Sequence, residues 1–535
     1  MRQDARPVPD RRSEGDPDGQ GGHLDGFREL ERRRQRAHEG GGRARKERQH
    51  DRGKLTARER VKLLVDPDSW IETDALREPR DPEIGDTKAA PGDGVVTGSA
   101  EVDGKPVAVY AQDFTVQGGS LGRSHASKIA KTLDQAIRQR CPVIGFNDSG
   151  GARIQEGVAS LAGYGDIFQR NVEASGLVPQ ITVVAGPCAG GAVYSPALTD
   201  FVILVRGSGR MFLTGPDVVE TVTGEDVTSE ELGGASVHGS ESGVAHFVAD
   251  DEQEAIAQAR RLLDYLPRST QHELPTRDGP EAEPTTEPVL DGIIPDQREK
   301  PYDIDEVTRR IVDGGRTLEV MQDFAPNIRT SFARLGGTPV GVVANDPAHL
   351  AGVLDLDAST KAARFVRTCD AFGLPVVSLV DVPGFLPGTD QEHNGVIRHG
   401  AKLVHAYAEA EVPTLTCVLR KAYGGAYIAM NSQHLGCDVN LAWPTAEIAV
   451  MGPDGAVRVL HREQLAEADD PEALRAQLRQ EFEDAFADPY QAAREGYVDE
   501  VVEPRHTRNR MITWLDRLSD AGHESPSKPH GNTPL

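Results

Sequence analysis

The chain has 535 residues, more than one hydrophobic core ordinarily holds, so two to four folding units are expected. Its 84 acidic residues outnumber 59 basic ones, and the formal net charge of −25 would repel a nucleic-acid backbone or an anionic bilayer, so neither is expected as a partner. No apolar run is long enough to span a membrane, and residues 1–22 lack the apolar stretch of a secretion signal, so a cytoplasmic enzyme is expected.

Residues 1–23 are polar, charged and rich in Gly and Pro, and are expected to be a disordered tail. From 24 to 50 the pattern is helical, with Phe27 and Leu30 three apart, and it breaks at Gly40-Gly41-Gly42; a further helix opens at Leu55-Thr56-Ala57 and ends near Leu64. The run Arg32-Arg33-Arg34 could meet a substrate phosphate, although a solvated helix face is the commoner use of such a run. Next come short β-rich runs at 107–110, 143–146, 181–184 and 201–205, alternating with helical segments such as 128–138. A Pro-rich acidic stretch follows at 270–300, and then the pattern resumes, with strands at 340–343, 376–380 and 415–419 and a helix at 361–372. Alternating β and α predicts mostly parallel sheets flanked by helices.

The second series repeats the first. Pro106, Asp113, Gly119, Lys128, Pro142, Asp148 and Gly151 recur 233 residues later as Pro339, Asp346, Gly352, Lys361, Pro375, Asp381 and Gly384. Gly190-Gly191-Ala192 recurs 234 residues later as Gly424-Gly425-Ala426. One register held over so many Gly, Pro, Lys and Asp positions means a duplicated domain. The predicted organisation is therefore an N-terminal domain at 24–275, a linker at 276–300, a C-terminal domain at 301–520 and a frayed or partner-docked tail at 521–535.

Each Gly pair follows a strand and opens a helix. The first N–H groups there have no intrahelical partner and attract negative charge, and glycine lets a ligand come close to the backbone. A single Gly-Gly-Ala serves helix–strand packing as often as function. Two at matched positions suggest chemistry with two developing oxyanions, such as a thioester enolate attacking a carboxylated urea.

Other motif-like strings lead nowhere. Asn147-Asp148-Ser149-Gly150-Gly151 resembles a serine-protease nucleophile loop but sits in an α/β pattern, and is expected to be a turn after a strand. Gly118-Gly119-Ser120-Leu121-Gly122 fits a nucleophile elbow by chance composition, and Asp381-Val382-Pro383-Gly384 has no phosphate-binding loop to accompany it. The five cysteines include no C-x-x-C pair, and the histidines show no metal-ligand spacing, so neither disulfides nor a metal is expected.

Longer strings carry a family resemblance over residues 24–535. They include Lys54-Leu-Thr-Ala-Arg-Glu-Arg60, the segment 147–157, Gly186-Pro-Cys-Ala-Gly-Gly-Ala-Val-Tyr-Ser195, Asp381-Val-Pro-Gly-Phe-Leu-Pro-Gly388 and Ala442-Trp-Pro-Thr-Ala446. The chain resembles the carboxyltransferase (β) subunits of biotin-dependent propionyl-CoA and acetyl-CoA carboxylases of actinobacterial type. That resemblance implies an α/β fold of two tandem crotonase-like domains, a hexamer built as a trimer of dimers, and an active site between the N-domain of one subunit and the C-domain of its partner. It implies that the amides of Gly190 and Gly191 hold the acyl thioester enolate and those of Gly425 and Ala426 the biotin ureido oxygen. Ile428, Tyr194, Ala152 and Arg153 are the implied substrate-binding residues, with Ile428 helping to set acyl-chain length. Biotin would arrive as carboxybiotin on a separate α subunit, because the chain has neither a biotinyl-lysine motif nor a recognisable ATP-binding segment; coenzyme A enters as part of the substrate, and a small ε subunit is a further candidate partner. A decarboxylase or transcarboxylase subunit of the same architecture, and a biotin-independent hydratase or thioesterase, are the alternatives.

Overall fold

The computed structural model describes residues 21–79, 90–486, 488–518 and 530–534. The predicted N-terminal tail lies outside the described residues up to residue 20, and residues 21–23 already belong to the helix Gly21–Glu39. Most of the predicted C-terminal tail also lies outside them.

Two sheets of eight strands follow one another along the chain. The first contains β1 (Ile71–Thr73), β2 (Val95–Val102), β3 (Lys105–Gln112), β4 (Val143–Ser149), β5 (Gln180–Ala189), β6 (Phe201–Val205), β7 (Arg210–Phe212) and β8 (Phe247–Ala249). The second contains β9 (Thr317–Glu319), β10 (Ile328–Leu335), β11 (Thr338–Asn345), β12 (Val376–Val382), β13 (Thr414–Tyr423), β14 (Val439–Ala442), β15 (Glu447–Ala449) and β16 (Glu500–Val501). The strand orders are β1-β2-β3-β4-β5-β6-β8 and β9-β10-β11-β12-β13-β14-β16, with β7 paired to β5 and β15 to β13. The duplication seen in sequence is thus a duplication of topology, and the sheets are parallel from β3 and from β11 onward.

The antiparallel start of each sheet was not foreseen. It comes from a two-residue hairpin, Asp103-Gly104 in the first sheet and Gly336-Gly337 in the second, and all four residues have positive φ, as a turn matched to strand twist requires. The helices Arg123–Gln139 and Val158–Ala174 pack together on the first sheet, and Leu356–Ala371 and Val396–Glu409 repeat the arrangement on the second. Five buried thiols, none in a disulfide, agree with the cysteine count. Among the described residues no helix is long and apolar enough to cross a membrane.

The two halves share a core. The Phe332 ring lies 5.8 Å from Phe201 and 5.1 Å from Phe365, and Met321 N donates to His246 O across the junction at 2.8 Å. The segment predicted as a linker is no free tether. Leu290 is buried, Arg508 donates to the carbonyls of Glu281 and Glu283, and Glu287 N donates to Arg505 O, so residues 281–290 are strapped onto the second sheet's helices. Proline spacing signals the lack of a long helix but does not report this docking.

Candidate active site

The two Gly pairs build the same turn twice. β5 ends at Ala189 in extended backbone, Gly190 turns at φ +65°, and a tight turn over Gly190–Val193 runs into the helix Tyr194–Leu198. β13 ends at Tyr423, Gly424 turns at φ +60°, and the helix Gly424–Ala429 follows. The left-handed turn requires glycine at the first position of each pair, and at Gly424 a Cβ would also come within 3.0 Å of Val450 O. The second position differs. A Cβ on Gly191 would make ordinary contact with the Tyr164 ring at 3.6 Å, whereas one on Gly425 would meet nothing within 4 Å. The second turn thus has open space at Gly425, while at Gly191 the Tyr164 ring stands in van der Waals contact. The helices are short, so the capacity for an anionic oxygen lies in the first N–H groups themselves more than in a helix dipole.

By the 234-residue offset Tyr194 and Ile428 are the same position in the two copies, and they are 49% and 42% exposed beside their turns. Tyr194 meets Phe168 edge-on at 5.9 Å, and Phe168 stacks on Tyr164, so the first turn has an aromatic wall where the second has an aliphatic side chain. The same offset shows that the expected amide sets are one residue out of step: Gly190 and Gly191 correspond to Gly424 and Gly425, whereas the C-domain pair implied was Gly425 and Ala426.

Ala152 is half-buried and bridges to Leu121, and its neighbour Gly151 is close enough to β5 that a Cβ would sit 3.1 Å from Ala189 O. That loop abuts the first turn. Arg153 requires a correction, because its side chain is 1% exposed and its guanidinium holds Asp93 at 2.8 Å, Glu156 at 2.7 Å and Ser120 O at 2.9 Å. It supports the loop from beneath and offers no open face to a ligand. A second correction concerns Asn147, Asp148 and Ser149. They close strand β4 and are buried, so the turn expected after the strand begins only at Gly150. Asp148 anchors a buried network with Lys54 at 2.7 Å, Arg60 at 3.0 Å and Gln49 at 3.1 Å, while Arg60 also pairs with Glu252 at 2.6 Å. Its repeat partner Asp381 holds Arg420 at 2.9 Å and the Lys421 amide at 3.0 Å. Sequence marked both aspartates as repeated but did not reveal their partners.

Through Gln49 this network pins the helix Arg43–His50, and Arg45 Nη1 adds a bond to Thr115 O at 3.0 Å. Arg45, Arg48 and Arg52 then line a cavity of about 250 Å³ together with Gln49, Phe114 and Gly118. Gly118 O accepts from Gly150 N at 2.9 Å, so one wall of the cavity is tied to the 150–152 loop that abuts the first turn. The run at 32–34 is the solvated helix face that is the commoner use of such a pattern, since Arg32 and Arg33 are exposed and pair with Glu29 on their own helix. The i, i+3, i+7 spacing of Arg45, Arg48 and Arg52 was the available signal. Among the described residues no group of three or more His, Cys, Asp or Glu is placed to hold a metal.

Residues 48–533 match the family model described as the carboxyl transferase domain. The propionyl-CoA carboxylase carboxyltransferase subunit of Haloferax mediterranei is 56% identical over 514 residues, covering 95% of this chain and 98% of that protein. The methylmalonyl-CoA decarboxylase subunit alpha of Propionigenium modestum is 50% identical over 95% of this chain and 99% of its own length. Among solved structures, the hexameric transcarboxylase 12S with methylmalonyl-coenzyme A and methylmalonic acid bound superposes with a TM-score of 0.92 at 49% identity, covering 95% of this chain and 98% of that one. The two-sheet architecture is therefore the crotonase-like fold that the family resemblance implied.

Proposed function

The chain belongs to the carboxyl transferase family, and from that premise we propose that it is the carboxyltransferase component of an acyl-CoA carboxylase, transferring a carboxyl group from carboxybiotin on a partner subunit to the α-carbon of propionyl-CoA or acetyl-CoA. The observation that carries this reading is the pair of matched Gly turns, each following a strand and each opened by a left-handed glycine, Gly190 and Gly424. One reaction with two oxyanions needs two such places.

The space in front of Gly425 fits a ureido oxygen approaching the backbone. When bound, biotin supplies the activated carboxyl group, and binding, orientation and charge stabilisation fall to this chain. The amides of Gly190 and Gly191 receive the thioester oxygen as negative charge develops on it, and those of Gly425 and Ala426 receive the ureido oxygen. Each such donor contributes on the order of 3 kcal/mol to the transition state. Arg45, Arg48 and Arg52 take the phosphates of coenzyme A, Tyr194 and Ala152 border the acyl-CoA path, and Ile428 borders the acyl chain. The assembly is a hexamer with a biotin-carrying α subunit, with or without a small ε subunit, in the cytoplasm.

The test is ATP-dependent fixation of labelled bicarbonate by the purified chain with a biotinylated α subunit and a panel of acyl-CoAs. Fixation that requires the α subunit supports the reading, while acyl-CoA turnover without any biotinylated partner would overturn it in favour of a hydratase or thioesterase. A second reading is favoured by the 50% identical decarboxylase subunit and by the transcarboxylase structure. It predicts carboxyl removal from methylmalonyl-CoA onto a biotinylated acceptor, with no ATP-driven fixation.

A further inference from the structure

The two Gly turns differ in what stands behind them. Tyr423, the residue before Gly424, is 7% exposed, and its hydroxyl donates to the carboxylate of Glu447, itself 6% exposed at the start of β15. The other carboxylate oxygen of Glu447 receives Arg298 Nε at 2.9 Å, and Arg298 also pairs with Glu483 of the helix Pro471–Phe486. Arg298 lies in the segment that joins the two domains. Two residues later Lys300 O accepts from Arg420 Nη1 of β13 at 2.9 Å, so the end of that segment is fastened to both β13 and β15. Gly452 closes the arrangement, since a Cβ there would lie 3.2 Å from the Tyr423 ring.

The first turn has no counterpart. Ala189 precedes Gly190, and Arg210 occupies the register position of Glu447, pairing opposite Pro187 as Glu447 pairs opposite Lys421. The duplication thus preserved the turn and changed what braces it.

We propose that Tyr423, Glu447 and Arg298 are positioning residues for the second amide pair, which makes the inter-domain segment a working part of the biotin-side half-site and of no other. The inference rests on the carboxyltransferase reading above. Its physical basis is local. The ψ torsion of Tyr423 sets the plane of the peptide that leads into Gly424 and so the aim of the following N–H groups. A ring held at its hydroxyl and against Gly452 fixes that torsion. Hydrogen bonds weaken steeply when misaimed, and small misplacements of reacting groups cost up to about 10²-fold in rate.

The experiment uses the full chain assembled with its biotin-carrying partner, and compares Tyr423→Phe, Glu447→Gln, the double variant, Arg298→Lys and Arg298→Ala. Initial rates are measured against acyl-CoA and, in the reverse direction, against free biotin as acceptor, with thermal melting and oligomeric state as folding controls. Tyr423→Phe should lower kcat about tenfold or more while KM for acyl-CoA stays within about twofold, as expected for a group acting on the transition state alone. The double variant should be no worse than either single one, because the residues act as a unit. Arg298→Lys should retain more activity than Arg298→Ala. Wild-type kcat in a folded Tyr423→Phe, fully multiplicative losses in the double variant, or a rise in acyl-CoA KM at unchanged kcat would each overturn the inference while leaving the carboxyltransferase reading intact. Inactivity of the wild-type complex would instead overturn that reading, and this one with it.

Discussion

Gly424 and Gly425 are neighbours with different reasons to be glycine. Gly424 has φ +60° and Val450 O 3.0 Å from where a Cβ would sit, so any side chain there disturbs the fold. Gly425 has neither constraint, and a Cβ there would meet nothing within 4 Å. Gly425→Val should therefore cut carboxyl transfer by at least about 10²-fold, the scale of losing an oxyanion donor, while melting temperature and oligomeric state stay at wild-type values. Retained turnover would remove the assigned role. Ile428, 42% exposed on the same helix, tests specificity. A carboxylate beside an acyl chain repels methylenes, so Ile428→Asp should shift relative activity among acetyl-, propionyl- and butyryl-CoA, and an unchanged ratio would exclude Ile428 from the pocket. Tyr194 is the matching position on the first turn, 234 residues earlier.

At the scale of elements, the N-terminal helices reach the active site through buried charge. The helices Arg43–His50 and Ala57–Leu64 deliver Gln49 and Arg60, and the loop between them delivers Lys54, all to Asp148 at the end of β4. The helix Ala57–Leu64 starts with a Thr56–Glu59 capping box, a signal plain in sequence. Asp148→Ala strands Lys54 without its counter-charge and leaves Arg60 with Glu252 alone, and should cost about 3–5 kcal/mol, read from the denaturant midpoint. It should also raise KM for acyl-CoA, because the arginines lining the cavity ride on the released helix. A loss below about 1 kcal/mol would mean that water reaches Lys54 and Arg60. Strand and helix alternation was legible residue by residue, since period and β-branching are local. The hairpins at Asp103-Gly104 and Gly336-Gly337 were equally local signals and were overlooked. Gln49, Lys54 and Arg60, the side chains around Asp148, lie about ninety to a hundred residues earlier in the chain, and no local pattern contains them.

At the scale of the whole molecule, the two domains meet at a histidine whose ring nitrogen Nε2 is buried. His246 O accepts from Met321 N across the junction, and its ring Nδ1 accepts from Val202 N at 3.1 Å, which requires that nitrogen to be unprotonated. Burial, with Arg364 nearby, pulls the imidazole down to about 3. A base with its folded pKa below the unfolded value near 6.5 binds fewer protons when folded, so stability is complete above that pH and is lost as pH falls from about 6.5 toward 3. Acidifying from pH 7.5 to 5 should cost wild type on the order of 1–2 kcal/mol more than His246→Leu; equal losses in the melting curves would sink the assignment. The amino-acid sequence alone determined the duplication, the α/β class, the family and the two Gly turns, because each is written in nearby residues or in a register that survives along the chain. Only the tertiary structure decided that Arg153 is a buried support, that Arg45, Arg48 and Arg52 line one cavity, that the 276–300 segment is strapped down, and that Tyr423 is braced from across a domain boundary. Those are contacts between residues far apart in sequence, set by how helices and sheets pack.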